Sequence, residues 1–265
     1  MEITDTLDVV HMMSMARSGE TMLVKLFNAH SQVLISHNLF AGETAESNRL
    51  FGLLKEYPDR VIPRGHSYLS HLDVYGKQVL FLKQGVWEHR TPFSGFVLLR
   101  NPMAIYSSLK RYDKPRDEAH LRQLWTELMV PRFVRWSNDI DPTLAAQMTE
   151  ARSPVEMFCR FHKRRFEILE RIENPVFRYE DVCRDPRTKL TEICAGMGLG
   201  FEERMLEAHT AYPDSYIGHG TNDLSKAIST DSLDLWKSTL PQDEIDFIFD
   251  ALGDFIGRYY PDLGA

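Results

Sequence analysis

The stretch from Asp8 to His30 constrains the fold of this chain more than any other. An apolar run over residues 9–13 leads into residues 14–21, which read SMARSGET, and an amphipathic segment over residues 22–27 follows at once. This order predicts a strand, a tight loop and a helix, a layout that places backbone N–H groups and the positive end of a helix around a phosphate. The stretch therefore predicts an anion-binding loop.

The loop has the spacing of a P-loop but lacks two residues of the Walker A pattern. Ser14 stands where the first glycine belongs, and Glu20 stands where the lysine belongs. A carboxylate at the second of these places repels the β- and γ-phosphates of a nucleoside triphosphate. Arg17, two residues before Gly19, supplies the cation instead. The loop is therefore predicted to hold an anion other than ATP or GTP.

The composition is that of an ordinary soluble globular protein. The chain has 265 residues, of which 43% are hydrophobic and 26% are charged, enough to bury a substantial core. Its net charge of −7 argues against a nucleic-acid-binding surface, which would show a basic patch or stripe. An anionic ligand would therefore be held by a local cluster of cations, because the overall charge repels it.

Cysteine usage and the N-terminus indicate the compartment. Three cysteines, Cys159, Cys183 and Cys194, are odd in number and lack C-x-x-C spacing, which argues against a disulfide framework or a zinc site. The first residues, MEITD, are acidic and carry no apolar run of the kind found in signal peptides. No apolar stretch reaches the length of a membrane span. We expect a cytoplasmic protein.

Short apolar runs predict five buried strands, and helical patterns separate them. This alternation predicts parallel βαβ units and an α/β fold, with a central parallel sheet flanked by helices on both faces. No repeat or long linker interrupts the pattern, so residues 1–265 are predicted to form a single domain. The predicted strands cover Leu7–Met13, Val33–Ser36, Gln78–Lys83, Gly95–Arg100 and Pro175–Tyr179.

Start signals predict several of the helices. A proline follows a capping side chain at Asn101, at Ser153 and at Asp185, and proline suits the first turn of a helix because its missing N–H would be unpaired there anyway. The basic run over residues 162–165 is predicted to be the solvated face of the second of these helices. Residues 242–256 have helical spacing and predict a C-terminal helix.

Three motifs, in this order, resemble those of the sulfotransferases that use 3′-phosphoadenosine 5′-phosphosulfate (PAPS). The run RSGETM over residues 17–22 resembles the family's 5′-phosphosulfate loop. The run LLRNP over residues 98–102 resembles its 3′-phosphate element, in which an arginine ends a strand and a serine follows eight residues later, as Ser108 follows Arg100. The run FRYED over residues 177–181 resembles its Y-E-D strand end. The resemblance spans nearly the whole chain and is closer to the carbohydrate-modifying and bacterial members than to the cytosolic branch.

The resemblance implies a P-loop-like nucleotide-binding fold and a PAPS-dependent sulfotransferase. PAPS has no γ-phosphate and needs no Mg²⁺ bridge, so no metal is expected, and the missing Walker lysine is explained. The family usually has threonine or serine in place of Glu20, and we expect Glu20 to turn outward and favour the helix start through its charge. The donor-binding residues that the resemblance implies are Arg17, Ser18, Gly19, Glu20, Thr21, Met22, Arg100, Ser108 and Tyr179.

Sulfuryl transfer needs a cation at the oxygen that leaves and a base for the hydroxyl that attacks. The resemblance gives the first role to Arg17. The cytosolic branch has a histidine after its third strand, where this chain has Gly85. The carbohydrate- and tyrosine-modifying branches commonly use a glutamate just after the second strand, and His37 lies at or near that place. His37 is thus a candidate base, with Glu43 and Glu46 as alternatives, or it is an ordinary polar residue at a strand end.

The sequence therefore predicts transfer of a sulfuryl group from PAPS to a hydroxyl of a glycan, a lipid-linked or a small-molecule acceptor. Two alternatives are a P-loop kinase of a small metabolite and a non-catalytic module that binds adenosine 3′,5′-bisphosphate. Glu20 counts against the kinase. The binding module would keep Arg17, Arg100 and Ser108 but would need no base. The acceptor, and whether the chain is a monomer or a homodimer, stay open.

Overall fold

The structure of the chain is a computed structural model. The described residues form two compact units. The first unit takes the described residues up to Gly85 together with residues 95–99 and 174–230, and the second takes residues 100–173 and 231–263. The prediction of a single domain over residues 1–265 stays a prediction. The described residues are 5–36, 56–57, 59–70, 72–85, 95–111, 117–131, 143–169, 171, 173–213 and 223–263.

The first unit is built on a sheet, which has six strands within the described residues. Five of them are parallel, in the order β2-β4-β1-β5-β6, and β3 pairs antiparallel with the start of β1. All five predicted strands are present. The sixth, β3, was not predicted. The strands are β1 (Thr6–Ser14), β2 (Val33–Ser36), β3 (Val61–Pro63), β4 (Val79–Gly85), β5 (Gly95–Leu99) and β6 (Val176–Arg178).

β1 lies at the centre of the sheet and is buried on both of its faces. Val9, Val10, Met12 and Met13 alternate between the two faces, and each is at most 2% exposed. A near-continuous apolar run is typical of a parallel strand that is covered on both sides. The carboxyl end of β1 and the loop that follows β1 therefore lie in the middle of the sheet.

Helices connect and follow the strands, so the prediction of an α/β fold with a central parallel sheet flanked by helices is confirmed. None of the helices in the described parts of the chain is both long enough and apolar enough to span a membrane. The helices are α1 (Glu20–Asn28), α2 (Pro102–Lys110), α3 (Glu118–Gln123), α4 (Leu144–Thr149), α5 (Pro154–Leu169), α6 (Tyr179–Arg184), α7 (Pro186–Gly196), α8 (Trp236–Thr239), α9 (Gln242–Ala251) and α10 (Gly253–Tyr259).

The predicted capping side chains are where the sequence indicates. Asn101 Oδ1 accepts a hydrogen bond from the Met103 amide at 2.9 Å, at the start of α2. Ser153 Oγ and Asp185 Oδ1 each accept from the amide three residues later, at 3.3 and 3.2 Å. Each bond satisfies one of the amides that a helix start leaves without an acceptor. These helix starts were therefore predictable from local sequence alone.

Two predictions about the second unit are wrong. His162 and Arg165, expected on a solvated face of α5, are only 6% and 4% exposed. The His162 ring packs edge-on against Phe255, with ring centroids 4.6 Å apart. Burial, aided by the charge of Arg165, lowers the pKa of His162 to about 3, so its imidazole is neutral. The helix predicted over residues 242–256 is two helices, α9 and α10, which meet at Leu252.

Candidate anion-binding site

The loop between β1 and α1 is a tight turn that leads directly into the helix. The Ser18 amide donates to the Met15 carbonyl at 3.0 Å, and the Gly19 carbonyl accepts from the Met22 and Leu23 amides. Gly19 and Arg17 both have positive φ, at 95° and 73°. α1 begins at Glu20, so the Glu20 and Thr21 amides have no acceptor within the helix. The strand, loop and helix predicted for this stretch are all present.

Gly19 lies directly under an aromatic ring. A Cβ atom added to Gly19 would be 2.1 Å from Cδ2 of Tyr179, closer than any real contact. Tyr179 is the first residue of α6, comes directly after β6, and is 9% exposed. The resemblance implied that Tyr179 is one of the donor-binding residues. The structure places the Tyr179 ring against the loop itself, where only glycine fits.

The hydroxyl of Ser18 is buried and has no hydrogen-bond partner within the described part of the chain. The residue is 0% exposed. Buried polar side-chain atoms in native proteins are nearly always hydrogen-bonded, so an exception needs an explanation. Ser18 stands between a half-buried arginine, Arg17, and the positive end of α1. A phosphate or sulfate oxygen fits as the missing partner, because it accepts hydrogen bonds and is attracted by both charges.

The two departures from the Walker A pattern contact each other. Ser14 Oγ donates to Glu20 Oε1 at 3.1 Å, and the two residues are 2% and 6% exposed. The expectation that Glu20 turns outward is therefore wrong. Its carboxylate turns inward because the Ser14 hydroxyl, at the carboxyl end of β1, offers it a buried partner. Its place in the first turn of α1 is still one where negative charge is favoured. Thr21 and Met22, also expected to bind the donor, are half-buried in the same turn.

Sequence reasoning missed Lys25, which ties a distant segment to α1. Lys25 is 6% exposed, and its Nζ donates to the carbonyls of Leu224 and Lys226 at 3.3 and 2.8 Å. Burial lowers the pKa of Lys25, and the charge of Asp223 acts in the opposite direction. The signal in the sequence was a single cation on the helix MLVKLF, one turn after Thr21. That pattern is equally typical of a lysine whose amine reaches solvent, so it did not single the residue out.

The second unit contains the other predicted anion-binding residues. Arg100 comes directly after β5, which is the parallel neighbour of β1 in the sheet. Arg100 and Ser108 are each 8% exposed, and Ser108 lies in α2. The arginine after a strand and the serine on the next helix are thus present as the motif predicts.

The candidate bases fall outside the described residues. His37, Glu43 and Glu46 all follow β2 in the part of the chain that the structure leaves undescribed. Their assignment therefore stays a prediction. In the described ranges, no group of three or more histidine, cysteine or acidic side chains could hold a metal ion.

Comparison with known proteins supports the fold. No protein-family model matches the chain, and no curated protein matches its sequence. The sulfotransferase domain from the curacin biosynthetic pathway is similar in structure, with a TM-score of 0.54 and 15% identity over 93% of this chain and 98% of that one. The sulfotransferase domain of the Synechococcus PCC 7002 olefin synthase gives 0.46 and 16%, over 91% and 94% of the two chains. Mouse sulfotransferase SULT7A1 complexed with PAP gives 0.48 and 11%, over 94% and 84%. The likeness to the curacin domain shows that this chain has the sulfotransferase fold.

Proposed function

We propose that this chain is a sulfotransferase that moves a sulfuryl group from PAPS to a hydroxyl group of an acceptor. The observation that carries the proposal is the buried Ser18 hydroxyl, which has no partner in the described residues and stands between Arg17 and the start of α1. The order of the three motifs supports the same donor. The acceptor class that we propose is a glycan, a lipid-linked glycan or a small metabolite.

The carboxylate inside the loop favours this donor over a nucleoside triphosphate. Glu20 occupies the place from which a Walker lysine reaches the β- and γ-phosphates. Two like charges 4 Å apart repel by about 4 kcal/mol at an effective dielectric constant of about 20. Without the lysine nothing in the pattern offsets that repulsion. A donor with no γ-phosphate meets less of it, because only a sulfuryl group stands beyond the 5′-phosphate, while Arg17 supplies a cation two residues before Gly19.

Each predicted donor-binding residue has a chemical role in this proposal. The Ser18 and Thr21 hydroxyls and the first amides of α1 bind the 5′-phosphate. Arg17 stabilises the negative charge that develops on the bridging oxygen as its bond to sulfur breaks, because sulfuryl transfer, like phosphoryl transfer, passes through a loose transition state. Arg100 binds the 3′-phosphate through its two-pronged guanidinium, and Ser108 donates a further hydrogen bond.

A base completes the reaction by taking the proton from the acceptor hydroxyl as its oxygen bonds to sulfur. His37 is the residue we propose, because a neutral imidazole accepts a proton near pH 7. Glu43 is the alternative. The products are then the sulfated acceptor, adenosine 3′,5′-bisphosphate and a protonated base.

Calorimetric titration tests the donor. We expect the wild-type chain to bind adenosine 3′,5′-bisphosphate and not to bind ATP with Mg²⁺. Ser18→Ala should weaken bisphosphate binding about 10- to 100-fold, the range for a lost hydrogen bond to a charged group. Its unfolding free energy should not fall, because no hydrogen bond within the described residues is lost. Ser31→Ala is the matched control, since the Ser31 amide and hydroxyl both donate to Glu202 and its loss affects stability without touching the loop.

An assay with labelled donor over a panel of hydroxyl acceptors tests the reaction. Turnover that is lost in His37→Ala, or in Glu43→Ala, would support the proposal and identify the base. Binding of ATP without a response to the bisphosphate would contradict the proposal and favour the kinase. Bisphosphate binding with no turnover on any acceptor, unchanged by both substitutions, would favour the non-catalytic module.

A further inference from the structure

α2 links the two residues that the motifs assign to the 3′-phosphate of the donor. Arg100 comes directly before Asn101, which caps the start of α2, and Ser108 lies in the last turn of the helix. An α-helix fixes the spacing of its residues along and around its axis. The rotation of α2 about that axis therefore decides the direction in which Ser108 is presented.

A pair of hydroxyl groups joins α2 to α8 at the residue next to Ser108. Ser107 Oγ and Thr239 Oγ1 lie 2.7 Å apart. Thr239 Oγ1 donates its one hydrogen to the Leu235 carbonyl at 2.8 Å, so in this pair Ser107 donates and Thr239 accepts. Ser107 is 1% exposed, and losing Thr239 would leave its buried hydroxyl short of an acceptor. The pair therefore fixes α2 at Ser107.

Glu244, in the first turn of α9, contacts the same face of α2. Lys110 Nζ donates to Glu244 Oε1 and Oε2 at 3.0 and 2.8 Å, and Tyr106 Oη donates to Oε1 at 3.4 Å. Burial and the negative charge of Glu244 raise the pKa of Tyr106, so its hydroxyl keeps the proton that it donates. Residues three or four apart are neighbours on a helix, so Tyr106, Ser107 and Lys110 form one face. The C-terminal helices thus hold this face of α2 at two places.

We propose that Thr239 and Glu244 are positioning residues, which set the rotation of α2 and thereby orient Ser108 towards the 3′-phosphate of the donor. This inference rests on the proposed sulfotransferase function. Successive residues are 100° apart around a helix, so a helix fixed at Ser107 presents Ser108 in one direction only. Hydrogen bonds weaken steeply when their angle departs from linear. A rotation of α2 should therefore weaken binding of the 3′-phosphate and leave binding of the 5′-phosphate, assigned to the loop after β1, unchanged.

Two nucleotides that differ only in the 3′-phosphate test the inference. Calorimetry gives, for each variant, the ratio of its affinities for adenosine 3′,5′-bisphosphate and for adenosine 5′-phosphate. We expect this ratio to fall about 3- to 30-fold in Thr239→Val and in Glu244→Gln, the range for residues that modulate binding without contacting the ligand. Thr239→Ser keeps the hydroxyl and should restore the wild-type ratio. Thr239 is exposed, so Thr239→Val keeps the inference testable if Glu244→Gln does not fold.

Glu156→Gln is the matched control for Glu244→Gln. Both glutamates belong to the second unit, and the side chain of each is 19% exposed. Glu156 pairs with Arg160 at 2.6 Å and accepts from the Arg152 amide at 2.7 Å, so it has a cation and a second donor as Glu244 does. Neither partner of Glu156 belongs to α2. The control should therefore keep the wild-type ratio even where its unfolding free energy falls.

The outcomes separate this inference from the function on which it rests. Wild-type chain that fails to bind the bisphosphate would overturn the proposed function, and the inference with it. Wild-type binding with an unchanged ratio in both Thr239→Val and Glu244→Gln would overturn the inference alone, and an unchanged ratio in one of them would overturn it for that residue. An equal fall in Glu156→Gln would also overturn it, since the ratio would then follow the stability of the unit and not the contacts of α2. Thermal unfolding of each variant checks that the fold is retained.

Discussion

Replacing Gly19 by alanine tests how the anion-binding loop is held. Gly19 has φ +95°, and a Cβ atom there would lie 2.1 Å from Tyr179 Cδ2. The substitution therefore meets two obstacles at once, a backbone conformation that L-residues avoid and a ring that must move. Gly198→Ala isolates the first obstacle, because Gly198 has φ +71° and open space around it.

The expected free-energy costs follow from this geometry. A left-handed conformation costs an alanine about 1–2 kcal/mol, and this applies to both glycines. Forcing an extra methyl group into a packed site costs about 1–3 kcal/mol more, and this applies to Gly19 alone. We therefore expect Gly19→Ala to lower the unfolding free energy by about 2–5 kcal/mol and Gly198→Ala by about 1–2 kcal/mol.

Urea unfolding of four variants measures both free-energy costs, that of the left-handed backbone and that of the added methyl group. The variants are Gly19→Ala, Gly198→Ala, Tyr179→Ala and the double variant of Gly19 and Tyr179. Removing the ring frees the space, so Gly19→Ala should cost about 1–2 kcal/mol in the Tyr179→Ala background. If Gly19→Ala cost no more than Gly198→Ala, or cost the same with and without the ring, the Tyr179 ring would not be what holds the loop.

Two further predictions concern the first unit. Lys25→Met leaves two carbonyls of the segment Asp223–Lys226 without their donor. The unfolding free energy should therefore fall by about 1–3 kcal/mol, and limited proteolysis should cut this segment faster. Cleavage of the segment at the wild-type rate would contradict this prediction. Burial opposes ionisation of Glu202, but hydrogen bonds from Ser31 and Arg204 outweigh it and lower its pKa to about 2. Because the folded pKa lies below the unfolded one, this stabilisation is present above about pH 4.5 and is lost as the pH falls towards 2. Discounted for solvent exposure it amounts to about 1–2 kcal/mol, and urea unfolding at pH 7 and pH 3 should show it in wild type but not in Glu202→Gln.

The sheet could be predicted from the sequence because burial leaves a direct trace in parallel strands. β1 reads as an unbroken apolar run since both of its faces are covered, and the runs of β2, β4 and β5 behave in the same way. β3 was not predicted, because its apolar run is only Val61 and Ile62 before Pro63 and its pairing with β1 depends on long-range register. Helix starts were predictable for a different reason: a capping side chain and a proline act within three residues of each other.

The side chains that turned out differently are those whose surroundings come from elsewhere in the chain. His162 belongs to a basic run that would be solvated on an isolated helix, and Phe255, 93 residues later, covers it. Lys25 would reach solvent if the carbonyls of Leu224 and Lys226 did not take its hydrogen bonds. Local sequence indicates whether a side chain tends to be exposed, whereas the surroundings of His162 and Lys25 are determined by tertiary packing.

The Ser14–Glu20 pair shows why the loop's two departures from the Walker A pattern have to be considered together. A glycine at position 14 would leave the buried Glu20 carboxylate without the hydroxyl that now donates to it. A lysine at position 20 would put an ammonium group beside Ser14 in a site that is almost fully buried, at a large desolvation cost. Ser14 and Glu20 are thus each unfavourable in a Walker loop, but each is favourable when the other is present. With the carboxylate held inward against β1, the anion that we propose would meet Arg17, Ser18 and the first amides of α1, so the acid in the loop does not contradict the proposal.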